Sequence, residues 1–148
     1  MLDPFEEIVR FAIDKEEEAA SFYDMAAGIA GNPISAVFKE LAGVERGHKR
    51  MLEGWNREVA LERSTEEVRD LRIGDYLVEV PVAPDMSYQD VLIVAMKREE
   101  RAFALYSVLA ELSKDHASRQ LFQTLAHEEA KHKLRFETEY DKVVLSED

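Results

Sequence analysis

The sequence predicts an all-α protein, a four-helix bundle with one long crossover between its second and third helices. Three observations support this: four stretches carry apolar residues at spacings of three and four, the two halves of the chain repeat one another, and a proline-containing stretch without helical periodicity separates them. We expect a single domain over residues 1–148, with repeated helix pairs at about 4–60 and 88–144 and the crossover at about 61–87. Its hydrophobic content of 46% is enough for one complete core.

The first predicted helix begins after Asp3, a favoured N-cap residue, with Pro4 at the first helical position. Its apolar face is formed by Val9, Ile13, Glu16, Ala20, Tyr23 and Ala27. Glu16 therefore interrupts an otherwise apolar stripe. The helix should end near Gly28, and Asn32 with Pro33 should start the second helix by the same capping logic.

The second predicted helix places a glutamate and a histidine on its apolar face. That face is formed by Phe38, Leu41, Glu45, His48, Leu52 and Trp55. Glu45 and His48 are three residues apart, which puts both side chains on the same side of a helix. Gly43 and Gly47 each cost about 1 kcal/mol relative to Ala inside a helix, so we expect another element to approach closely there.

The stretch 61–87 has weak helical character. Pro81 and Pro84 cannot lie inside a helix, and the β-branched residues around them favour an extended chain. An extended crossover is the preferred interpretation, and a small edge strand or a disordered linker is the alternative. Because a crossover of this length can traverse a bundle, the third helix is expected to run parallel to the second.

The third and fourth predicted helices repeat the pattern of the first two. Ser87 and Asp90 resemble a capping box at the start of the third helix. The buried face of this helix is formed by Leu92, Ala95, Glu99, Ala102, Tyr106 and Leu109. The fourth helix follows Asp115, ends near Val144, and carries on one face Phe122, Leu125, Glu129, His132 and Phe136.

The pattern Phe-x-x-Leu-Ala-x-x-Glu-x-x-His occurs at 38–48 and again at 122–132, and each copy follows a helix in which a Tyr lies seven residues after a Glu. If the halves pack with a pseudo-twofold relation, six side chains converge at one level of the bundle: Glu16, Glu45, His48, Glu99, Glu129 and His132. Four buried carboxylates repel one another and lose hydration unless they are protonated or bind cations. The sequence therefore predicts two metal ions with oxygen and nitrogen ligands, which suit iron or manganese and also fit zinc.

Neighbouring acids provide alternative ligands. A stripe shifted by one position would instead bury Glu17, Glu18 or Glu100. Glu128 competes with Glu129, but the repeat favours Glu129, because Glu128 aligns with Val44.

The remaining histidines and two tyrosines also have alternative roles. His116 and His127 lack a Glu three residues earlier, so we expect them at the surface or at a helix end. Tyr23 and Tyr106 are either plain core residues or donors of a hydrogen bond to a ligand carboxylate.

Composition excludes several functional classes. With no cysteine in the chain, disulfides, thiolate catalysis and cysteine-bound metal clusters are excluded. A net charge of −12 with scattered Lys and Arg argues against nucleic-acid binding. No apolar run approaches the roughly 20 residues that cross a bilayer, and the N-terminus lacks the pattern of a signal peptide. We therefore expect a cytoplasmic protein that binds neither nucleic acid nor a membrane.

These motifs resemble those of the ferritin-like superfamily of di-iron carboxylate proteins, most closely the rubrerythrin-like branch, over all four helices. The resemblance implies two iron ions (Fe2+/Fe3+) that react with hydrogen peroxide or dioxygen, as in a peroxidase or ferroxidase that acts against oxidative stress. It implies that Glu45 and Glu129 bridge the ions, and that Glu16 and Glu99 are terminal ligands. His48 and His132 would each lie on or near one iron.

The chain departs from the family pattern in three ways. Typical rubrerythrins carry a rubredoxin domain with a four-cysteine iron centre. This chain has no cysteine, so a separate protein, such as a rubredoxin-like donor, should supply electrons. They also place a further Glu three residues after the third-helix ligand, where this chain has Ala102. The remaining ligand set resembles that of bacterioferritins, which keeps ferroxidase or oxidase chemistry open. Cage-forming ferritins add a fifth helix that is not found here, so we expect no storage shell, and the resemblance favours a homodimer.

Two non-catalytic functions compete with the oxidoreductase. The first is a module that binds or senses iron, manganese or zinc. The second is a bundle with a vestigial site that acts in partner binding, which the complete set of six ligands disfavours.

Overall fold

The computed structural model describes residues 4–29, 32–59 and 85–146. These residues form four helices, α1 (Pro4–Ala27), α2 (Ser35–Val59), α3 (Tyr88–Leu112) and α4 (His116–Ser146), and no β-strand occurs in these ranges. The predicted all-α fold with four helices is therefore confirmed. The predicted extended crossover lies almost entirely outside the described residues, as does the predicted cap at Asp3. Within the described ranges, no helix has both the length and the apolar character needed to cross a membrane.

Ion pairs show that α1 and α2 are antiparallel. Asp24, late in α1, pairs with Arg46 at 2.7 Å, whereas the earlier Glu17 pairs with the later Lys49 at 3.2 Å. Because the order of contacts reverses between the two helices, their chain directions are opposite.

Two hydrogen bonds show that α1 and α3 are also antiparallel. Tyr23 donates to Glu99, and the later Tyr106 donates to the earlier Glu16. Since α1 is antiparallel to both neighbours, α2 and α3 run parallel, as predicted from the length of the segment between them. The end of α2 and the start of α3 therefore lie at opposite ends of the bundle.

The turn between α1 and α2 differs in one respect from the prediction. The first helix ends at Ala27, as expected, but α2 begins at Ser35 rather than at Asn32. The side chain of Asn32 accepts a hydrogen bond from the Ile34 amide at 2.9 Å and donates one to the carbonyl of Ala26 at 2.7 Å. Asn32 therefore closes the turn instead of capping the helix.

Short polar side chains cap the later helices. The Ser87 hydroxyl accepts a hydrogen bond from the Asp90 amide at 3.1 Å, which confirms the predicted start of α3. At the start of α4, the Asp115 carboxylate accepts from the Ser118 amide at 2.8 Å. Both bonds satisfy amide groups that the first turn of a helix leaves without a partner.

The core consists of two apolar clusters. They lie on either side of a level of the bundle that contains four buried glutamates, which we call the acidic level. In one cluster the rings of Phe38 and Phe136 stack with centroids 5.4 Å apart. In the other, the rings of Trp55 and Phe122 pack edge to face with centroids 5.2 Å apart, and Trp55 donates its indole N–H to Ser118 at 2.6 Å. These aromatic pairs join α2 to α4, so the predicted core aromatics hold the two histidine-bearing helices together.

The expected close approach at the α2 glycines is wrong. A Cβ atom added at Gly43 would meet nothing within 4 Å among the described residues, and at Gly47 it would meet the Arg50 side chain at 3.9 Å. Gly43 is exposed. Both positions therefore have room for a side chain.

Candidate metal centre

Six acidic and imidazole side chains meet between the two apolar clusters. Each comes from the apolar stripe of its helix, which must face the other helices to remove its apolar residues from water. They are Glu16 on α1, Glu45 and His48 on α2, Glu99 on α3, and Glu129 and His132 on α4. Five of the six are buried, and His132 is 15% exposed. The structure thus brings together every residue that the sequence predicts as a ligand.

The six residues form two overlapping groups. One group is Glu16, Glu45, His48 and Glu129, and the other is Glu45, Glu99, Glu129 and His132. Within each group the potential ligand atoms all lie within 4.8 Å of one another. Because Glu45 and Glu129 belong to both groups, their carboxylates are placed where two adjacent cations would share them.

Both imidazoles turn the same nitrogen towards the carboxylates. The Nδ1 atom of His48 lies 3.4 Å from Glu16, 3.4 Å from Glu45 and 3.5 Å from Glu129. The Nδ1 atom of His132 lies 3.3–3.6 Å from its own three glutamates. Each nitrogen therefore faces the space that its carboxylates surround.

Several buried polar atoms at this level make no hydrogen bond. They are Glu16 Oε2, both carboxylate oxygens of Glu45, His48 Nδ1, Glu99 Oε2, Glu129 Oε1 and His132 Nδ1. A buried polar atom without a partner costs about 1–3 kcal/mol. Two divalent cations would contact these atoms and balance the four carboxylates, so the residues present fit a pair of metal ions.

Two buried tyrosines hold Glu16 and Glu99, the two carboxylates that are not shared between the groups. The Tyr23 hydroxyl donates to Glu99, and the Tyr106 hydroxyl donates to Glu16 at 2.5 Å. Burial raises the pKa of both phenols well above its ordinary value, and the nearby carboxylates raise it further. Both hydroxyls therefore remain protonated donors.

Among the protein groups alone, burial raises the pKa of three carboxylates. The pKa of Glu99 rises to about 7, and those of Glu16 and Glu129 rise well above the ordinary value, with repulsion between the carboxylates as a further cause. Burial acts in the same direction on Glu45, but its close polar contacts with Glu16 and both histidines outweigh burial and lower the pKa of Glu45. A metal ion must therefore displace protons to bind here.

The two histidines also hold protons that a metal ion must displace. Burial lowers the pKa of an imidazole, but the close polar contacts and charge interactions with the carboxylates outweigh burial here. The pKa of His48 rises to about 11 and that of His132 to about 9. Metal binding at Nδ1 requires the neutral ring, so uptake of metal should release protons from these rings as well.

The acids next to the predicted ligands face solvent. A stripe shifted by one position is therefore not the buried one. Glu17 and Glu18 are about half exposed and pair with Lys49 and Lys15 respectively. Glu100 is exposed, as are His116 and His127.

One residue that contacts the centre was missed by sequence reasoning. The Glu128 carboxylate hydrogen-bonds Nε2 of His48, from α4 to α2, although its side chain is 42% exposed. From the sequence, Glu128 was predicted only as an alternative metal ligand to Glu129. Its one signal was that it breaks the repeat, where the matching residue is Val44.

A cavity of about 40 Å³ lies between α1 and α3, beside Glu16, Glu99 and Glu129. Its apolar wall is formed by Phe11, Ala12, Ala19, Ala102 and Leu105. The basic residues Lys15, Arg98 and Arg101 also line it. This volume holds on the order of three water-sized molecules.

Comparisons with known proteins agree with this geometry. A family model described as Rubrerythrin matches residues 7–140. A hypothetical protein from Pyrococcus furiosus has a similar structure, with a TM-score of 0.76 and 22% identity over 97% of each chain. A candidate ferritin-like diiron-carboxylate protein from Thermotoga maritima has a TM-score of 0.73 and 23% identity over 94% of this chain and 95% of its own. No curated protein matches the chain. At these identities the two structures show a shared fold.

Proposed function

This chain belongs to the rubrerythrin family, and we propose that it is a di-iron carboxylate oxidoreductase that reacts with hydrogen peroxide or dioxygen. A separate donor protein, such as a rubredoxin-like protein, would reduce it again. The main support is the pair of four-residue groups that share Glu45 and Glu129, because it offers two adjacent ions a common pair of carboxylates. Manganese or zinc would fit the same ligands.

The roles of the ligands follow from their place in the two groups. In this proposal both ions would share Glu45 and Glu129, Glu16 and His48 would hold one ion, and Glu99 and His132 would hold the other. Two ferrous ions held there would supply two electrons that, with two protons, convert one hydrogen peroxide into two waters and leave two ferric ions. The four carboxylates would balance the charge of a ferrous pair and make the buried site neutral when the histidines are neutral.

The tyrosines orient the two carboxylates that would each bind only one ion. Each donates from its hydroxyl to one oxygen of Glu16 or Glu99 and leaves the second oxygen facing the centre. Because the phenol pKa values lie well above 10, neither proton is lost near neutral pH. Each tyrosine would therefore hold one oxygen of its carboxylate in place while the second oxygen is available to a metal ion.

The cavity between α1 and α3 provides a path for a small oxidant. Its volume of about 40 Å³ admits molecules of a few atoms, such as peroxide or dioxygen, beside the carboxylates. Ala102 contributes only a methyl group to this wall, which leaves the cavity open beside Glu99. A larger reductant cannot enter, so electrons would come from a partner at the surface.

Anaerobic iron loading tests the proposal. Protein with two ferrous ions per chain is mixed with hydrogen peroxide and, in parallel, with oxygenated buffer, while ferrous iron and ferric absorption are followed. We expect two irons to be oxidised per peroxide, much faster than in buffer alone. Adding reduced rubredoxin should then restore the ferrous state and give repeated turnover.

The control is the double variant Glu45→Gln, Glu129→Gln, which should not retain the iron pair. If the wild-type protein binds iron but neither oxidant changes it, the proposal is wrong and a non-catalytic binding module is supported instead. If wild type and the double variant retain the same amount of metal, the site is vestigial.

A further inference from the structure

The two halves of the metal centre differ in one contact. The Nε2 atom of His48 is hydrogen-bonded to the Glu128 carboxylate. The repeat places Val44 at the matching position beside His132. Among the residues that the structure describes, no carboxylate pairs with Nε2 of His132. The pseudo-twofold symmetry of the six ligands therefore does not extend to the residues that hydrogen-bond the outer nitrogens of the two histidines.

This contact determines the form of the His48 ring. A carboxylate only accepts hydrogen bonds, so the shared proton lies on Nε2 of His48. In the neutral ring, the lone pair is then on Nδ1, the nitrogen that faces Glu16, Glu45 and Glu129. The bond also holds the ring in place and makes Nδ1 a stronger donor to a metal.

His132 has the same orientation with less support. Its ring lies nearly parallel to that of His48, at an interplanar angle of 12° and a centroid distance of 6.5 Å. Its Nδ1 atom is also buried and faces carboxylates. However, its side chain is 15% exposed, against 3% for His48. The protein therefore prepares one imidazole for a metal ion more completely than the other.

We propose that Glu128 makes the two metal positions unequal, so that the position formed by Glu16 and His48 binds first and more tightly than that formed by Glu99 and His132. This inference rests on the proposed function, because it requires a two-metal centre. Glu128 belongs to neither ligand group and acts through His48, which makes it a positioning residue. Removal of such a partner typically lowers metal affinity 10–100-fold, and the partial exposure of Glu128 places the expected effect near 10-fold.

Zinc titration followed by NMR tests the order of binding. Zinc is diamagnetic, so the ring nitrogens of 15N-histidine-labelled protein report separately on His48 and His132 as Zn2+ is added to the metal-free chain. In the wild-type protein, the His48 Nδ1 signal should reach its bound position before that of His132. The tighter zinc site should be about 10-fold stronger than the weaker one.

Exchanging the carboxylate between the two halves gives the decisive comparison. Glu128→Gln should weaken zinc binding at His48 about 10-fold, and Val44→Glu should strengthen it at His132 by a similar factor. The double variant should reverse the order in which the rings respond. Glu100→Gln is the matched control, because Glu100 is an exposed acid directly after the ligand Glu99, as Glu128 directly precedes Glu129.

The outcomes distinguish this inference from the proposed function. If both rings respond together in the wild type, or if the double variant keeps the wild-type order, the inference is overturned while the two-metal centre stands. If zinc shifts neither ring, the metal centre fails, and the proposed function fails with it. Val44→Glu provides an independent measurement should Glu128→Gln lose helicity.

Discussion

Tyr23 and Tyr106 are core residues and parts of the candidate centre at once. Their rings pack in the two apolar clusters, and their hydroxyls reach the carboxylates between the clusters. The two readings that the sequence left open are therefore compatible. A Phe at either position would keep the packing and remove only the hydrogen bond.

We expect Tyr23→Phe and Tyr106→Phe each to lower zinc affinity about 10-fold, because a ligand carboxylate loses the bond that orients it. Competition with a zinc chelator measures the effect. Tyr88→Phe is the control, since its hydroxyl lies 3.4 Å from Glu139 and outside both ligand groups. Equal affinities in all three variants would contradict an orienting role.

The stability of the metal-free protein should depend on pH through Glu99. Its pKa rises from 4.5 to about 7, so the folded chain holds a proton that the unfolded chain releases. The free energy of unfolding should therefore fall as pH rises from about 4.5 to about 7, by at most about 1.4 kcal/mol per pH unit for one proton. Glu16 and Glu129 act in the same direction. Glu45, with a lowered pKa, contributes stability that is lost only as pH falls below 4.5.

Urea unfolding of chelator-treated protein across this pH range measures that slope. Glu99→Gln should make it shallower, because the amide does not titrate. A slope that is zero, or equal in wild type and variant, would show that Glu99 does not hold an extra proton in the folded chain.

At the scale of single elements, α2 contains an exposed glycine, Gly43, that no packing contact requires. Gly43 is exposed in the middle of the helix, and beyond the helix's own local backbone no described atom lies within 4 Å of an added Cβ. A glycine in such a place loses more backbone entropy on folding than alanine does. The helix therefore depends on its packed face for stability.

Gly43→Ala should stabilise the protein by about 0.5–1 kcal/mol. Urea unfolding of metal-free protein measures the gain. Ala42→Gly, at a buried neighbouring position, should have the opposite sign. A loss of stability in Gly43→Ala would reveal a surface that packs against this face of α2.

At the scale of the whole molecule, an acidic level separates two apolar clusters. The clusters provide the hydrophobic stabilisation, whereas buried carboxylates without counter-charge oppose it. Because all four helices contribute to the acidic level, a metal pair would connect the entire bundle. The homodimer stays a prediction from the resemblance.

Metal binding should therefore raise the melting temperature. At a free metal concentration about 100 times the dissociation constant, the gain is about 2.7 kcal/mol, or roughly 5–10 °C for a chain of this size. Differential scanning calorimetry with Zn2+ and after chelation measures it. The double variant Glu45→Gln, Glu129→Gln should show no shift, and its metal-free form should be at least as stable as metal-free wild type. An equal shift in both proteins would place the metal elsewhere.

The sequence alone determined the four helices, the order of their buried faces and the six residues that meet between them. Helical periodicity is local, so spacings of three and four decide which side chains share a face. The repeat then decided between Glu129 and Glu128, because equivalent positions of a duplicated unit occupy equivalent environments. Capping chemistry is also local, and it identified Ser87.

Only the tertiary structure decided how the faces meet. The space beside Gly43 depends on neighbouring helices, and the turn at Asn32 depends on a carbonyl of the preceding helix, Ala26. The bond between Glu128 and His48 joins two helices at a distance of 80 residues along the chain. Such contacts depend on the rotation and spacing of packed helices, which no local spacing specifies. The sequence therefore predicted a symmetric centre, and the structure showed that its two halves differ.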